Sequence, residues 1–591
     1  MTDRPTIGQE PAAPGAPSTT PAAETPTMAA AAIPPEHDTS QLRGGEMPEV
    51  VIEHPPAGAP PAAAPAPPPG APTKIPWLGL TAVLLGTFIS TLNTRLSSFG
   101  LADIRGAVHA GFDDGAWITT AQTMAQMLVC PIAIWMGTVY GARKVLFEAA
   151  AAFALIAFIE PFSPNLPMLL TMQFLGGLAT GFFVPLTLSF VLRNMAPRVW
   201  AYGIAIYALN LEVSLNISAS FEGWYVDHLN WHWIFWQQVP LAAAMAICMS
   251  LGTPPDPANP NRPKPDYFGF ATGGIGLSLI YAALDQGNRV DWLNSGMIWA
   301  LLIAGIILII GFFIHEARSP QPAVNLKILL EAPLPRLLVM ITFLRLTLLS
   351  TAYLIPQFLQ VVRGFRAIEV GESLVWIAAP QLIVCFMGGY LLRRIDPRLV
   401  ASFGFLCICV ACLMVAHTIT PVWGSDQFLP SQLLQAVGQS LALSGTVFFA
   451  VLHLRPADAL TFASAIQVSR LLGGEMGTAF VTTFVRKRSQ IASNLIGQHL
   501  QIGDPDVVQR LQAYAGATAR AGDPSNALTR GATVLNNVVH SAATTQAVID
   551  CFVAIAVATA LVLIVIVTRR AAPPHPAAHV PIFKPRAETL S

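Results

Sequence analysis

Six charged side chains stand inside stretches that are otherwise apolar: Arg95, Glu212, Glu222, Arg345, Arg470 and Glu475. A charge at the centre of a bilayer costs about 2.5–3.5 kcal/mol on insertion scales, so each needs a partner, a wet cavity or a task. Three chemistries fit the first group. Arg95 could form a static ion pair with Glu212 or Glu222, the charges could contact a substrate, or one glutamate could carry a proton. Glu222, near the end of its run, could also reach the interface by snorkelling. Arg345 lies roughly two turns into its run. Arg470 and Glu475 are five residues apart and could satisfy each other or neighbouring backbone. Amides add a second layer. Gln122 and Gln126 are one helical turn apart and share a face, either bonding across helices or lining a cavity. Gln357, Gln360, Gln381, Gln432, Gln435, Gln439 and Gln467 continue the pattern, with Gln432, Gln435 and Gln439 on one stripe. A glutamine- and aromatic-rich cavity would suit an amphipathic, weakly charged substrate.

Enzyme readings find no support. The strings GxSxG, HExxH and GxxxxGK[ST] are absent, and Gly273-Gly274-Ile275-Gly276 lies inside an apolar run, where it reads as helix packing. The seven cysteines, Cys130, Cys248, Cys385, Cys407, Cys409, Cys412 and Cys551, all sit in apolar runs without a paired CxxC, so neither a disulfide framework nor a metal site is expected. No cofactor is implied.

The elements that carry these residues follow from composition. Hydrophobic residues are 53% of the chain and charged residues 11%, with a mean hydropathy of +0.55. So few charges cannot clothe a water-facing surface around a core of this size, so the outer surface must meet a lipid bilayer. The formal net charge is zero, which gives no reason to expect a nucleic-acid partner. Apolar runs long enough to span occur at about 77–98, 116–137, 144–162, 166–192, 200–222, 232–252, 268–285, 295–316, 336–361, 369–392, 398–420, 428–452, 459–485 and 547–569. The fold class expected is therefore an all-α polytopic membrane protein with about fourteen spans.

Arginine and lysine concentrate in alternate gaps: Arg143 and Lys144; Arg193 and Arg198; Arg262 and Lys264; Arg318, Lys327 and Arg336; Arg393, Arg394 and Arg398; Arg455. The other gaps hold only Arg105, Arg289, Arg363 and Arg366. By the positive-inside rule the first set is cytoplasmic and both termini lie inside, as Arg569 and Arg570 after the last span agree. Arg486-Lys487-Arg488 falls outside but opens a long polar segment, 486–546, of the kind largely exempt from the rule. That segment reads as a small extramembrane hairpin with helical stretches at 488–501 and 505–518. Residues 1–74, rich in Ala and Pro and with no apolar signal region, read as a disordered cytoplasmic tail, and 571–591 as a second one. The PxxP-like strings of the first tail could also dock a partner.

Short strings narrow the class further. Gly223-Trp224-Tyr225-Val226-Asp227 is followed by Trp231-His232-Trp233-Ile234-Phe235 and Val239-Pro240; Leu284-Asp285-Gln286-Gly287 by Asp291-Trp292; Phe358-Leu359-Gln360 by Arg363-Gly364-Phe365 and Gly371. Arg393-Arg394-Ile395-Asp396-Pro397-Arg398 looks like a second-half cytoplasmic loop motif, and Ser469-Arg470-Leu471-Leu472-Gly473-Gly474 with Gly477-Thr478-Ala479 completes the order. Together they resemble the fourteen-helix drug/proton antiporter branch of the major facilitator superfamily over roughly 77–570. The resemblance implies a six-helix bundle at 75–252, two inserted helices with linkers at 253–334, and a second six-helix bundle at 335–570 that includes 486–546. It implies a bacterial inner (cytoplasmic) membrane location. It further implies a secondary transporter that exports a hydrophobic or amphipathic small molecule against protons, with a periplasmic adaptor and outer-membrane channel as partners.

The first half departs from that pattern. Asn93 stands where the first-helix acid belongs, and an amide carries no proton at any accessible pH. Thr138 and Val139 replace the acid and first arginine of the loop after the second helix, leaving Gly141, Arg143 and Lys144. Gln173 replaces the fourth-helix arginine. The prolines of the fifth-helix antiporter motif are gone, with their kink, although Ser214, Ser218 and Ala219 would still permit close packing. Two further readings stay open: an uncoupled facilitator or lipid-type flippase on the same fold, and a non-transporting scaffold or sensor.

Overall fold

The computed structural model describes residues 77–568 apart from 196–198, 254–262, 321, 323, 325, 331–333, 455–457, 502 and 522–525. The two expected tails, 1–74 and 571–591, lie outside the described residues, as do Arg198, Arg262, Arg455, Arg569 and Arg570 of the charge pattern.

Every regular element described is helical. The first group comprises α1 (Trp77–Phe99), α2 (Trp117–Val139), α3 (Ala142–Ile159), α4 (Leu166–Gly181) running on into α5 (Phe183–Asn194), α6 (Trp200–His228) and α7 (Gln238–Gly252). Two inserted helices follow, α8 (Tyr267–Gly287) and α9 (Gly296–Arg318). The second group comprises α10 (Leu334–Leu349), a π-helical turn (Ser350–Leu354), α11 (Ile355–Arg363), α12 (Ala367–Arg394), α13 (Pro397–Thr418), α14 (Leu429–Val451), α15 (Ala459–Gln498), α16 (Pro505–Ala521) and α17 (Ala527–Val567). Within the first group α1 packs on α6 and α7, and α2 on α4; within the second, α13 packs on α14 and α17, and α10 on α15. The groups meet along α6 against α12 and along α2 and α5 against α15.

Among the described residues, twelve helices are long and apolar enough to cross a membrane. The two spans missing from the expected fourteen are α1 and α15, which have the length but carry Asn93 and Arg95, and Arg470 and Glu475. The outward faces confirm the solvent. On α9, Ile303, Ile306, Ile307 and Ile310 are each about half exposed, a stripe that only lipid would wet.

Glycines bring the helices to backbone contact. A Cβ on Gly177 of α4 would sit 2.2 Å from the Gln122 carbonyl oxygen of α2, and one on Gly223 of α6 would sit 2.6 Å from the Ile368 backbone nitrogen of α12. The Gly177→Ala protein should therefore lose about 1–3 kcal/mol of stability, seen as a lower thermal unfolding midpoint in detergent. An unchanged midpoint would mean that α2 and α4 part freely. The small residues expected on the fifth span do pack: Ser214, Ser218 and Ala219 are fully buried, and Ala219 lies against Leu374, Ile377 and Ala436. With no proline, α6 runs unbroken for 29 residues.

The segment 486–546 is built differently from a separate hairpin. Helix α15 continues 40 residues to Gln498, and α17 starts at Ala527 rather than near 547. The intervening α16 lies on α17, with Gly531 so close that a Cβ there would sit 2.8 Å from the Ala515 nitrogen. Hydropathy falls at these positions while helix propensity does not, so the helices outrun the apolar spans.

Candidate functional site

A cavity of about 150 Å³ lies where α1, α2, α8, α10 and α15 converge. Its wall collects charge. Arg95 comes from α1, Arg345 from α10 and Arg470 from α15, facing Asp285 of α8 and Glu475 of α15. Tyr281, Tyr353, Ser98 and the threonines Thr91, Thr94, Thr119, Thr123 and Thr478 complete the polar lining. Three guanidinium groups thus face two carboxyl groups, a net charge of plus one with both acids ionised. The π-helical turn carries Tyr353 to this wall, in keeping with the frequent use of π-turns at functional sites.

The hydrogen bonds tie the wall across elements. Tyr281 donates to Glu475 Oε2 at 3.0 Å. Asp285 accepts from the Thr120 hydroxyl of α2 and from Gln286 Nε2 at 3.1 Å. Arg470 donates through Nε to Gln467 Oε1 at 3.0 Å and through Nη1 to Thr91 of α1 at 3.4 Å. Arg345 is 8% exposed, and its Nε has no hydrogen-bond partner.

Several expected pairings are replaced. Arg95 turns into the cavity beside Asp285 and Glu475 rather than pairing with Glu212 or Glu222. Glu212 lies outside the cavity lining, accepting from Gln381 of α12 at 3.3 Å and Ser440 of α14 at 3.2 Å, and its charge interacts with Arg345. Glu222 is buried near Asp103 and Asp227, with no partner for its Oε2. Arg470 and Glu475 do not satisfy each other. Five residues advance a helix by about 140° beyond a full turn, which aims them apart.

No glutamine lines the cavity, and several of the amides knit helices together, the interhelical alternative for Gln122 and Gln126. Gln122 and Gln126 both donate to Thr94 of α1 at 3.4 Å, and Gln126 reaches Thr180 of α4 at 3.1 Å. Gln173, in place of the family's arginine, donates to Ser97 of α1 at 3.4 Å. Asn216 donates to Gln381 and Gln439, and Gln381 to Gln439, so an amide cluster joins α6 to α12 and α14 around Glu212. Of the Gln432, Gln435 and Gln439 stripe, only Gln439 reaches that cluster, while Gln435 donates to Cys412 Sγ. Gln357 lies on α11 with its Oε1 unpartnered, and Asn93 is buried in α1; neither lines the cavity. The degraded loop after α2 is held by Arg143, which donates to the Ser250 carbonyl at the end of α7 at 2.8 Å. In the second-half copy Asp396 caps α13, accepting from the Arg398 backbone at 3.0 Å and its Nε at 2.9 Å.

The inserted helix α8 is the element that sequence reasoning left out of the site. It lies against the α2 backbone: a Cβ on Gly274 would come 2.6 Å from the Leu128 carbonyl oxygen, and Ser278 donates to Met124 O at 2.7 Å. To α15 it and the loop that follows it are joined by polar side chains. Besides Tyr281 to Glu475, Trp292 donates to Thr483 at 2.8 Å, and Arg486 to Asp291 at 3.1 Å. Asp291 and Trp292 are both left-handed, at φ 58° and 54°, a strained pair held where the Trp292 indole covers Gly287. Hydrogen bonds from Asn294 and Arg486 hold the exposed Asp291 carboxyl below its ordinary range. Its contribution is therefore present above the free-aspartate value and fades as pH falls through the lowered one. Asp291→Asn and Arg486→Gln, measured singly and together, should show coupling at neutral pH and low salt. Acid or molar salt should erase it; coupling that survives both would refute an ionic contact.

Comparison with known proteins agrees with this architecture. The profile of the Major Facilitator Superfamily matches residues 83–478, more than half of the chain. Among curated relatives, the probable multidrug resistance protein EmrY of Escherichia coli is 26% identical over 431 residues, covering 70% of this chain and 81% of EmrY. The multidrug export protein EmrB of Escherichia coli is 23% identical over 69% of this chain and 80% of EmrB. The fatty acid resistance protein FarB of Neisseria gonorrhoeae is 22% identical over 70% of this chain and 82% of FarB. Of the solved structures, the human organic anion transporter MFSD10 superposes with a TM-score of 0.52 at 14% identity, over 83% of this chain and 100% of that one. A transporter of the POT family, solved with a thioalcohol-conjugated peptide, gives 0.51 at 14% identity, over 83% of this chain and 95% of that one. With its helical order, lipid-facing surface and matched span, the chain is a multi-pass membrane protein and belongs to the Major Facilitator Superfamily of transporters.

Proposed function

We propose that the chain exports a hydrophobic or amphipathic small molecule from the cytoplasm, exchanging it for protons at the three-arginine cavity. The observation that carries the reading is the convergence of Arg95, Arg345, Arg470, Asp285 and Glu475 from both helix groups and from the inserted α8 on one enclosed space. A site shared between two groups that rock against each other can be reached from alternating sides. The carboxyl groups supply the groups that could bind protons, and Asn93 is relieved of that role. The names of the relatives support this reading: EmrB is a multidrug export protein, EmrY a probable multidrug resistance protein and FarB a fatty acid resistance protein.

The protein would sit in the inner membrane with both termini cytoplasmic, as the loop charges suggest. The outward extensions of α15 and α17 with α16 would then offer a surface for a periplasmic adaptor. Deleting residues 499–526 should leave transport in vesicles intact and lower export across the whole envelope; unchanged export would remove the adaptor.

Inside-out vesicles test the main reading. Acidifying their lumen should drive uphill uptake of the exported compound, and an uncoupler should abolish it. Uptake insensitive to the uncoupler would exclude antiport.

A further inference from the structure

We infer that the three-arginine cavity continues into an apolar side crevice built by the inserted helices, and that the two together hold a single-chain anionic amphiphile, head on the arginines and tail in the crevice. The inference rests on the transport reading and names its substrate class.

The crevice, about 240 Å³, lies between α2, α8, α9, α10 and α15, and its lining is overwhelmingly apolar. Ile309, Phe312 and Phe313 of α9 form one wall. Gly273 of α8 admits the Phe312 ring, whose carbon would lie 2.8 Å from a Cβ at that position.

Helix by helix, the crevice and the cavity are one groove. Along α15 the residues Thr461, Ser464, Val468, Leu471, Glu475 and Thr478 follow at alternating three- and four-residue steps, which is a single helical face. The first three line the crevice and the last three the cavity. On α8 four-residue steps take Gly273 and Leu277 in the crevice to Tyr281 and Asp285 in the cavity. On α2, running the other way, Thr119 and Thr123 line the cavity while Cys130 and Ile134 line the crevice. On α10, Leu338 is in the crevice and Arg345, two turns on, is in the cavity. Three of these helices, α8, α10 and α15, therefore run from the crevice to a charged residue in the cavity, and α2 runs from Cys130 and Ile134 to two threonines. The matching occupant has a long apolar tail and a charged head.

The sign of the head follows from the wall. Both carboxyl groups already hold donors, Glu475 from Tyr281 and Asp285 from Thr120 and Gln286. Within the lining the guanidinium groups outnumber them three to two, with Glu212 acting on Arg345 from outside the lining, and Arg345 Nε has no hydrogen-bond partner. A carboxylate or other oxyanion would take these donors in charge-assisted bonds and settle the repulsion among the arginines, whereas an ammonium head would add to it.

The test uses the full chain in phosphatidylcholine nanodiscs and hexadecanoate carrying a photoreactive diazirine near its methyl end. On illumination, adducts should concentrate on Ile309, Phe312, Phe313, Ser464, Ala465 and Val468, which line the crevice. Excess plain hexadecanoate should suppress them; hexadecyltrimethylammonium at the same concentration should not. Arg345→Gln should weaken the protection about tenfold. Adducts spread evenly over the lipid-facing helices, or equal competition by the ammonium compound, would overturn the site, and both readouts use the unsubstituted protein. Binding here needs no proton gradient, so the two readings fail separately. Focused labelling without proton-driven export leaves the site and removes the transport reading, and export with diffuse labelling does the reverse.

Discussion

Replacing Glu475 by glutamine is expected to cut proton-driven export at least about tenfold, with uphill transport losing its dependence on the pH gradient. The carboxyl group sits on α15, in the second helix group, yet its hydrogen-bond donor is Tyr281 of α8, which is bound to the first group through Ser278 and Gly274. Protonation state and contact between the groups are therefore linked at one atom pair. An ionised Glu475 also offsets part of the positive charge of the wall, Arg95 above all, and such attraction is stronger in a water-poor site than in water. Glutamine keeps the shape and can still accept from Tyr281, but it holds no exchangeable charge. The loss should thus fall on the driven process, and exchange of substrate for substrate across the vesicle, which moves no net proton, should fall less. A control, Tyr281→Phe, breaks the contact without touching the titrating group. It should raise leakiness between the two sides while leaving the pH dependence in place. Equal loss of driven transport and exchange in Glu475→Gln would assign Glu475 a purely structural part.

How much of this was legible before the structure depends on the kind of signal. The charges inside apolar runs carried their own meaning, because lipid penalises them wherever they point. Arg95, Arg345, Arg470 and Glu475 all reach the cavity. Their partners were not legible. Arg95 and Glu212 occur on adjacent spans of one group, yet α6 turns Glu212 toward α12 and α14. Periodicity states which residues share a face and is silent on what the face meets, so it left the Gln122/Gln126 pair open between a cavity and a helix junction, where the junction holds, and it gave the Gln432/Gln435/Gln439 stripe to a cavity that none of the three lines. Asp285, Tyr281 and Tyr353 were missed for a different reason. Asp285 stands two residues from the end of α8, where an acid is cheap and unremarkable, and its depth in the wall comes from how far α8 slides along α2. That slide is set by Gly274 against the Leu128 carbonyl, a contact between backbones with no trace in hydropathy. Tyr353 depends on one π-turn. The spans themselves were readable within a few residues, and the exceptions, α15 past 486 and α17 before 547, are where polar helix continues beyond the lipid.

Arg470→Gln should separate binding from stability in an unusual direction. Truncating a buried charged residue commonly costs about 3–5 kcal/mol, because the partner is left as an uncompensated charge. Arg470 has no such partner. Its donors go to the neutral Gln467 and Thr91, and the nearest formal charges in the wall include two further guanidinium groups. A glutamine can meet Gln467 and Thr91 with its own amide. Removing one cation leaves two arginines against two acids, so the empty protein should unfold at the same temperature or a higher one. Ligand binding should respond oppositely. A hydrogen bond to a charged group is worth about 1.5–3 kcal/mol, so an anion that uses Arg470 should bind roughly ten- to a hundredfold more weakly. Thermal unfolding with and without hexadecanoate reads both quantities in one experiment, since a ligand raises the midpoint in proportion to its occupancy of the folded state. The expected pattern is an unliganded midpoint that holds or rises and a ligand-induced shift that shrinks. A sharp fall in the unliganded midpoint would show that Arg470 is held by an acid after all. A full ligand-induced shift would take the head of the amphiphile away from this arginine, leaving Arg345 and Arg95 as its only cationic contacts in the cavity wall.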